Sequence, residues 1–211
     1  MSNAILNSSK FIHIPKCGGT AVQTALWRLG LIKDKSQVFT SPHHGHLFAS
    51  QMPVDNRFNF TFVRNPISWY QSWYNWNMQQ PLSRFSGEEL KTKSFDQWVD
   101  EYGQFWLGIY GTLIKRYFGE DENFPTSNKM QFVGKVENLY NDLGRALDAA
   151  GETYDANILR DLQSGAIQQN RLQTNRQAYD RTSISNSSIE LIYKVELATF
   201  NRFHYGPGLI H

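Results

Sequence analysis

The stretch from Ile14 to Thr20 constrains the fold of this chain more than any other, because it joins an apolar run to a helical pattern through a lysine and two glycines. Residues 11–14 predict a short buried strand, and apolar residues at helical spacing beyond Thr20 predict a helix that Gly30 ends. The N–H groups of such a loop and of the first helical turn converge on one place, where the helix dipole adds positive charge. The pattern therefore indicates an anion site, to which Lys16 brings a mobile cation.

The order of residues in this loop separates it from the loop that binds nucleoside triphosphates. That loop reads G-x-x-x-x-G-K-[ST], and no stretch of the chain matches it. The loop instead resembles the 5′-phosphosulfate loop of sulfotransferases that use 3′-phosphoadenosine 5′-phosphosulfate (PAPS), in the branch that reads P-K-[TC]-G-G-T. The resemblance rests on six consecutive residues, and it implies that all six bind the cofactor: Pro15, Lys16, Cys17, Gly18, Gly19 and Thr20. Taken alone, a K-x-G-G run is also typical of a plain strand-to-helix turn.

A second motif follows the alternating residues 58–63, which predict a strand that ends at Arg64. Pro66 stops this strand and can open a helix, on which Ser72 lies eight positions after Arg64. Ligands bind at the carboxyl ends of the strands in open parallel sheets, so we expect Arg64 at the ligand edge. Sulfotransferases similarly hold the 3′-phosphate with an arginine at a strand end and a serine eight positions later. A guanidinium suits this role because it forms bidentate hydrogen bonds with a phosphate.

Tryptophans recur along the same predicted helix. Trp69, Trp73 and Trp76 fall on one face at helical spacing. Such a stripe is typical of packing, and packing is the role we assign to it. Stacking of a sugar on Trp76 or Trp106 is the alternative.

Half of the six histidines lie in one short segment between the two motifs, at His43, His44 and His46. Transfer of a sulfuryl group to a hydroxyl needs a base that removes the proton, and histidine titrates near neutral pH. The segment resembles the His-Gly-His of heparan sulfate 2-O-sulfotransferases, which implies His46 as catalytic base and His44 in support. A zinc site is the competing interpretation, but no carboxylate or cysteine stands at ligand spacing, and the family needs no metal.

The single cysteine raises a rival from another enzyme class. Cys17 at a helix N-terminus would have a lowered pKa, as in cysteine-dependent phosphatases. Those enzymes need an arginine where this chain has Gln23. Cys17 therefore replaces the threonine often found in the sulfotransferase loop, and a lone cysteine forms no intrachain disulfide.

The second half of the chain carries weaker signals. Residues 130–136 predict a strand leading into a helix that Gly151 ends, and Glu137 is expected to hold the junction between them. The polar segment 168–185 resembles loops that close over the nucleotide, which implies a phosphate contact by Arg171 or Arg176. A solvated run of charges is the alternative for that segment.

A final helix is predicted over residues 187–203. It would begin with a capping box at residues 187–190. A stripe of three apolar residues is expected to pack on the sheet: Leu191, Val195 and Ala198.

Length and composition favour one α/β domain over residues 1–211. No apolar stretch reaches the length of a membrane span and residues 1–10 lack the apolar region of a signal peptide, so we expect a cytoplasmic protein with no membrane partner. The net charge of +2 and the lack of a basic run give no support for nucleic acid as a partner. The pattern leaves the oligomeric state open.

These features together predict a PAPS-dependent sulfotransferase. The resemblance implies a P-loop-like three-layer fold with a central parallel sheet flanked by helices. The expected partner is a hydroxyl compound, with a glycan favoured over a lipid, a phenol or a peptide tyrosine. A catalytically silent nucleotide- or glycan-binding domain and a small-molecule kinase are the alternative functions, and the kinase is disfavoured because the loop lacks the lysine-serine pair that holds phosphate and metal.

Overall fold

The computed structural model describes residues 3–39, 47–79, 93–166 and 184–206. Contacts between backbone positions divide the chain into two compact units. The first unit comprises Met1–Arg64 and Leu113–Gln173, and the second comprises Asn65–Thr112 and Thr174–His211. The expectation of a single domain over residues 1–211 stays a prediction.

The first unit contains a five-stranded sheet in the order β3-β1-β2-β4-β5. The strands are β1 (Asn3–Ile5), β2 (Ser9–Phe11), β3 (Val38–Phe39), β4 (Phe58–Val63) and β5 (Phe132–Lys135). Strands β2, β4 and β5 run parallel, with Phe11 opposite Phe60 and Phe60 opposite Phe132. Strand β1 is antiparallel to both of its neighbours.

The predicted α/β class is confirmed, but the sheet is mixed and not parallel throughout. Only residues 6–8 join β1 to β2. A connection that short closes an antiparallel hairpin, because a parallel crossover needs a dozen or more residues. Strand β2 also ends earlier than predicted, at Phe11, although the N–H of Ile12 still donates to the oxygen of Phe60 at 2.9 Å.

Eight α-helices lie in the described ranges. They are α1 (Gly19–Arg28), α2 (Pro66–Gln79), α3 (Phe95–Trp106), α4 (Ile109–Phe118), α5 (Leu139–Ala149), α6 (Ala156–Ser164), α7 (Asn186–Val195) and α8 (Leu197–Arg202). In the first unit, α5 packs against β5 and α6, and α6 also contacts α1. In the second unit, α7 packs against α2, α3 and α8. None of the helices in the described part of the chain is long and apolar enough to cross a membrane.

Aromatic and aliphatic side chains form the core of the first unit. Phe11 and Phe60, from neighbouring strands, are fully buried and stack with their ring centroids 5.5 Å apart. Val22 and Leu26 of α1 and Leu143 of α5 are also fully buried. The predicted helices that contain these residues are confirmed, and so is the end of each, since Gly30 and Gly151 follow them at positive φ.

The predicted final helix is wrong in three respects. The chain forms two helices, α7 and α8, and the side chain of Ser185 caps α7 by accepting from the N–H of Ser188, so the helix does not begin with a capping box at Ser187. The apolar stripe is also misplaced: Val195 is 41% exposed, whereas Ile192 is buried.

A buried carboxylate explains this different face. Glu196, between α7 and α8, is 1% exposed and accepts hydrogen bonds from the hydroxyl of Tyr70 at 2.7 Å and of Thr199 at 2.8 Å. The N–H of Gly111 adds a third donor at 3.1 Å. A buried carboxylate needs such donors. Because Glu196 points toward them, its orientation determines which residues of α7 and α8 face inward.

Candidate functional site

The loop that follows β2 is closed by a tight turn. The N–H of Cys17 donates to the oxygen of Ile14 at 3.1 Å, which leaves Pro15 and Lys16 as the central residues. Lys16 has a φ of 65°, in the left-handed region that favours glycine. Proline before a residue of positive φ is the arrangement of a type II turn. A lysine held there is strained, and such strain concentrates at functional sites.

The two glycines of the loop are required by packing. Gly18 has a φ of 73°, and a Cβ on it would lie 2.8 Å from the Cδ1 of Leu139. A Cβ on Gly19 would lie 2.1 Å from the Nε2 of His13, which is buried. The loop therefore packs directly against side chains of its own unit. This packing requires glycine at both positions, in addition to the close approach of an anion that glycine would allow.

Helix α1 begins at Gly19 with a terminus suited to an anion. Its N-cap residue is Gly18, which has no side chain to cap it, and its first turn has no acidic residue. By contrast, Asp155 caps α6 and Ser185 caps α7 through their side chains. The partial positive charge at the start of α1 is therefore not offset by a side chain at its cap.

Arg64 joins this loop from the neighbouring parallel strand. It follows β4, is half-buried, and its Nη1 lies 3.4 Å from the main-chain oxygen of Lys16. Because β2 and β4 pair in parallel, their carboxyl ends share an edge of the sheet. The structure thus brings together Lys16 and Arg64, two residues that the sequence separates by 48 positions.

The electrostatics of this edge follow from burial and like charge. Burial, and then the neighbouring guanidinium of Arg64, lower the pKa of Lys16 from 10.5 to about 8. Both effects disfavour the ammonium form. A bound dianion would counteract both effects and raise the pKa of Lys16 again, because it would supply the opposite charge that the buried lysine needs.

Tyr117, beside the loop, carries no signal in the sequence. The hydroxyl of Tyr117 is buried and has no hydrogen-bond partner among the described residues, and its ring lies 5.1 Å from that of Phe48. Burial, and then the nearby Cys17, raise the pKa of Tyr117 well above its usual range, so the hydroxyl stays neutral. Cys17 itself is 1% exposed. A neutral tyrosine hydroxyl beside the loop is a hydrogen-bond donor that no motif predicts.

The junction between β5 and α5 is held by Asp142. Its carboxylate accepts from the N–H of Lys135 at 2.8 Å and from the Nδ2 of Asn138 at 3.0 Å, and the residue is 6% exposed. The sequence predicts this role for Glu137, which is exposed, and that role stays a prediction. Asp142 supports the site indirectly, because the same junction carries Leu139, against which Gly18 packs.

Ser72 and four further site residues stay predictions. Ser72 is half-buried on α2, in the second unit, whereas Arg64 belongs to the first, so their joint contact with one ligand stays a prediction. Four predicted residues fall outside the described ranges: His44, His46, Arg171 and Arg176.

An open depression of about 600 Å³ lies at the other end of β4, lined in part by Ser8, Asp55, Arg57 and Phe58. It contains none of the predicted site residues, and Asp55 and Arg57 pair with each other there. The depression is therefore distinct from the edge that holds Lys16.

No group of three or more His, Cys, Asp or Glu residues in the described ranges is arranged to hold a metal ion. Comparison of the chain with family models, with curated proteins and with solved structures found no match.

Proposed function

We propose that this protein is a PAPS-dependent sulfotransferase that moves a sulfuryl group to a hydroxyl of a carbohydrate, on a P-loop-like sulfotransferase fold. One observation carries the proposal. Arg64 at the end of β4 lies against the strained Lys16 turn, at the uncapped start of α1. Two cations and a helix N-terminus at one edge suit a ligand with more than one anionic group.

The nucleotide would be held at both of its phosphate ends. Lys16 and the N–H groups of Gly18, Gly19 and Thr20 bind the 5′-phosphosulfate. Arg64 and Ser72 bind the 3′-phosphate, which distinguishes this carrier from ADP and ATP. The turn that fixes Lys16 contributes by placing its charge before the ligand arrives, which lowers the cost of ordering it.

The transfer itself needs a base and a stabilised leaving group. His46, supported by His44, takes the proton from the acceptor hydroxyl as the oxygen attacks sulfur. The new O–S bond forms while the bond between sulfur and the bridging phosphate oxygen breaks. The electron pair of that bond stays on 3′-phosphoadenosine 5′-phosphate, where the ammonium of Lys16 stabilises the growing charge.

Transfer of radioactive sulfur tests this proposal. Purified protein is incubated with sulfur-labelled PAPS and a panel of glycosaminoglycans and neutral glucans, and the polymer fraction is counted. We expect label in at least one glycan, and a loss of about a hundred-fold or more in His46→Ala, in line with removal of a general base. A parallel incubation uses ATP labelled in its γ-phosphate.

The outcomes separate the candidate functions. Label transferred from ATP and not from PAPS would establish a kinase and contradict the proposal. Binding of the nucleotide without transfer to any acceptor would reduce the protein to a silent binding domain. Full activity in His46→Ala would remove this residue from the mechanism.

A further inference from the structure

Helix α2 carries a ladder of three tryptophans: Trp69, Trp73 and Trp76. The rings of Trp69 and Trp73 stack at 5.2 Å and 15°, and those of Trp73 and Trp76 lie 5.7 Å apart at 44°. Tyr110 of α4 extends the stack beyond Trp69, at 4.6 Å and 14°. Four aromatic rings thus run in one continuous series within the second unit.

The tryptophan ladder passes from the core to the surface. Trp69 is fully buried between Trp73 and Tyr110, which fixes the inner rings, whereas Trp76 is 41% exposed. A partly exposed indole that stacks on fixed inner rings offers a flat apolar face to a ligand. The fixed inner rings also reduce the side-chain freedom that Trp76 would lose on binding a ligand.

Asn77, on the same turn, holds a buried acceptor to which no described residue donates. Asn77 is 6% exposed, and its Nδ2 donates to the main-chain oxygen of Trp73 at 3.0 Å. Its Oδ1 is buried and accepts no hydrogen bond from any residue in the described ranges. A buried acceptor without a donor is destabilising, and such atoms in folded proteins call for a functional reason. A hydroxyl supplied from outside would satisfy it.

The charge of the helix narrows the class of ligand. None of the residues of α2, from Pro66 to Gln79, is Asp, Glu, Lys or Arg. An anionic or cationic ligand would find no partner on this helix. The chemistry fits a neutral ligand that combines a flat apolar face with hydroxyl donors, and a pyranose ring has both.

We propose that Trp73, Trp76 and Asn77 form a binding site for a neutral carbohydrate. One C–H face of a pyranose ring stacks on the exposed part of the Trp76 indole, and a sugar hydroxyl donates to Asn77 Oδ1 as the adjoining side chains adjust on binding. Trp73 forms the floor of the site. Every residue of this site belongs to the second unit and none binds the nucleotide, so carbohydrate binding does not depend on the proposed transfer reaction.

Affinity electrophoresis in gels that contain soluble neutral polysaccharides tests the site without nucleotide. The probes are hydroxyethyl cellulose, laminarin, glycol chitin and galactomannan. We expect retardation by at least one of them, and a weakening of about ten-fold or more in Trp76→Ala, as for loss of an aromatic anchor. Trp76→Phe should retain part of the affinity, and Asn77→Leu should weaken binding while leaving the stacked rings in place.

Trp27→Ala is the matched control, because Trp27 is also 41% exposed but lies on α1 in the first unit. Its retardation should stay within about two-fold of the unsubstituted chain. Circular dichroism and the elution volume of each variant show whether it is folded and monomeric. Failure of all four polysaccharides to retard the protein would overturn the proposal. Equal losses in the Trp27 and Trp76 variants would also overturn it, as would a self-associating chain that Trp76→Ala dissociates, since the face would then bind a second copy.

Discussion

The Nη1 atom of Arg64 lies 3.4 Å from the main-chain oxygen of Lys16. This contact ties the end of β4 to the turn after β2, and it places two cations at one edge of the sheet. In the unliganded chain burial disfavours the charge of Lys16, and repulsion from Arg64 adds to the penalty, as the lowered pKa of Lys16 reflects. Burial first, and then the proximity of the Arg64 guanidinium, therefore bring the titration of Lys16 close to neutral pH.

Nucleotide affinity should fall as pH rises through about 8, because Lys16, with a pKa lowered to about 8, loses its charge there. Calorimetric titration with 3′-phosphoadenosine 5′-phosphate, from about pH 7.5 to 9.5, measures the effect, and we expect a loss of about ten-fold. Lys16→Arg stays charged over this range and is the control. An equally steep fall in Lys16→Arg would assign the titration to another group.

The stability of the nucleotide-free protein should increase with pH over the range in which the nucleotide affinity decreases. The folded chain holds the pKa of Lys16 near 8 and the unfolded chain near 10.5, so the unfolded chain binds more protons between those values. The free energy of unfolding should therefore rise with pH across that window, because the penalty is complete below about pH 8 and fades above it. Urea unfolding of the unsubstituted chain and of Lys16→Met measures this contribution. Parallel pH profiles of the two proteins would contradict it.

Gly19→Ala should destabilise the chain by about 2 kcal/mol or more, since its Cβ would lie 2.1 Å from the imidazole of His13. Gly144→Ala, inside α5, is the matched control. Its Cβ would meet neighbours at 3.5 Å, which is ordinary contact, so it should stabilise the helix by about 0.5–1 kcal/mol. Denaturant midpoints of both variants decide the matter, and a neutral Gly19→Ala would refute this packing of the loop.

Replacing either of two buried tyrosines by phenylalanine should change the free energy of unfolding, with opposite signs at the two positions. The hydroxyl of Tyr117 has no partner among the described residues, so Tyr117→Phe should raise the free energy of unfolding by about 1 kcal/mol. The hydroxyl of Tyr70 donates to Glu196 and accepts from the N–H of Gly108, so Tyr70→Phe should lower it by about 2 kcal/mol. Thermal and urea unfolding measure both. A loss of stability in Tyr117→Phe would mean that its hydroxyl is paired.

Local signals predicted the elements around the site well. The alternation of residues 58–63 and the proline at position 66 fix β4 and the start of α2, because strand periodicity and the ring of proline act within a few residues. The glycines after Lys16 likewise place the start of α1. The sequence therefore predicted Lys16 and Arg64 at the ends of neighbouring elements, and the parallel pairing of their strands brings the two residues together.

Structural features that depend on partners far away in the chain could not be predicted from local sequence patterns. Strand β1 begins with a buried polar residue, Asn3, whose side chain accepts from the N–H of His13 and donates to the oxygen of Leu47. Hydrophobic periodicity cannot register such a residue. The buried face of the last two helices was mispredicted for the same reason, because Glu196 turns toward a partner, Tyr70, that lies 126 positions away.

Thermal unfolding with 3′-phosphoadenosine 5′-phosphate or ADP at equal concentration tests the central claim most directly. The two ligands share an adenosine and differ in where the second phosphate lies, so a site built around Arg64 should favour the 3′-phosphate. We predict a larger rise in Tm with 3′-phosphoadenosine 5′-phosphate, lost in Arg64→Ala and kept in Arg160→Ala, an exposed arginine of the same unit. Equal shifts with the two nucleotides, or a preference that survives in Arg64→Ala, would contradict the account.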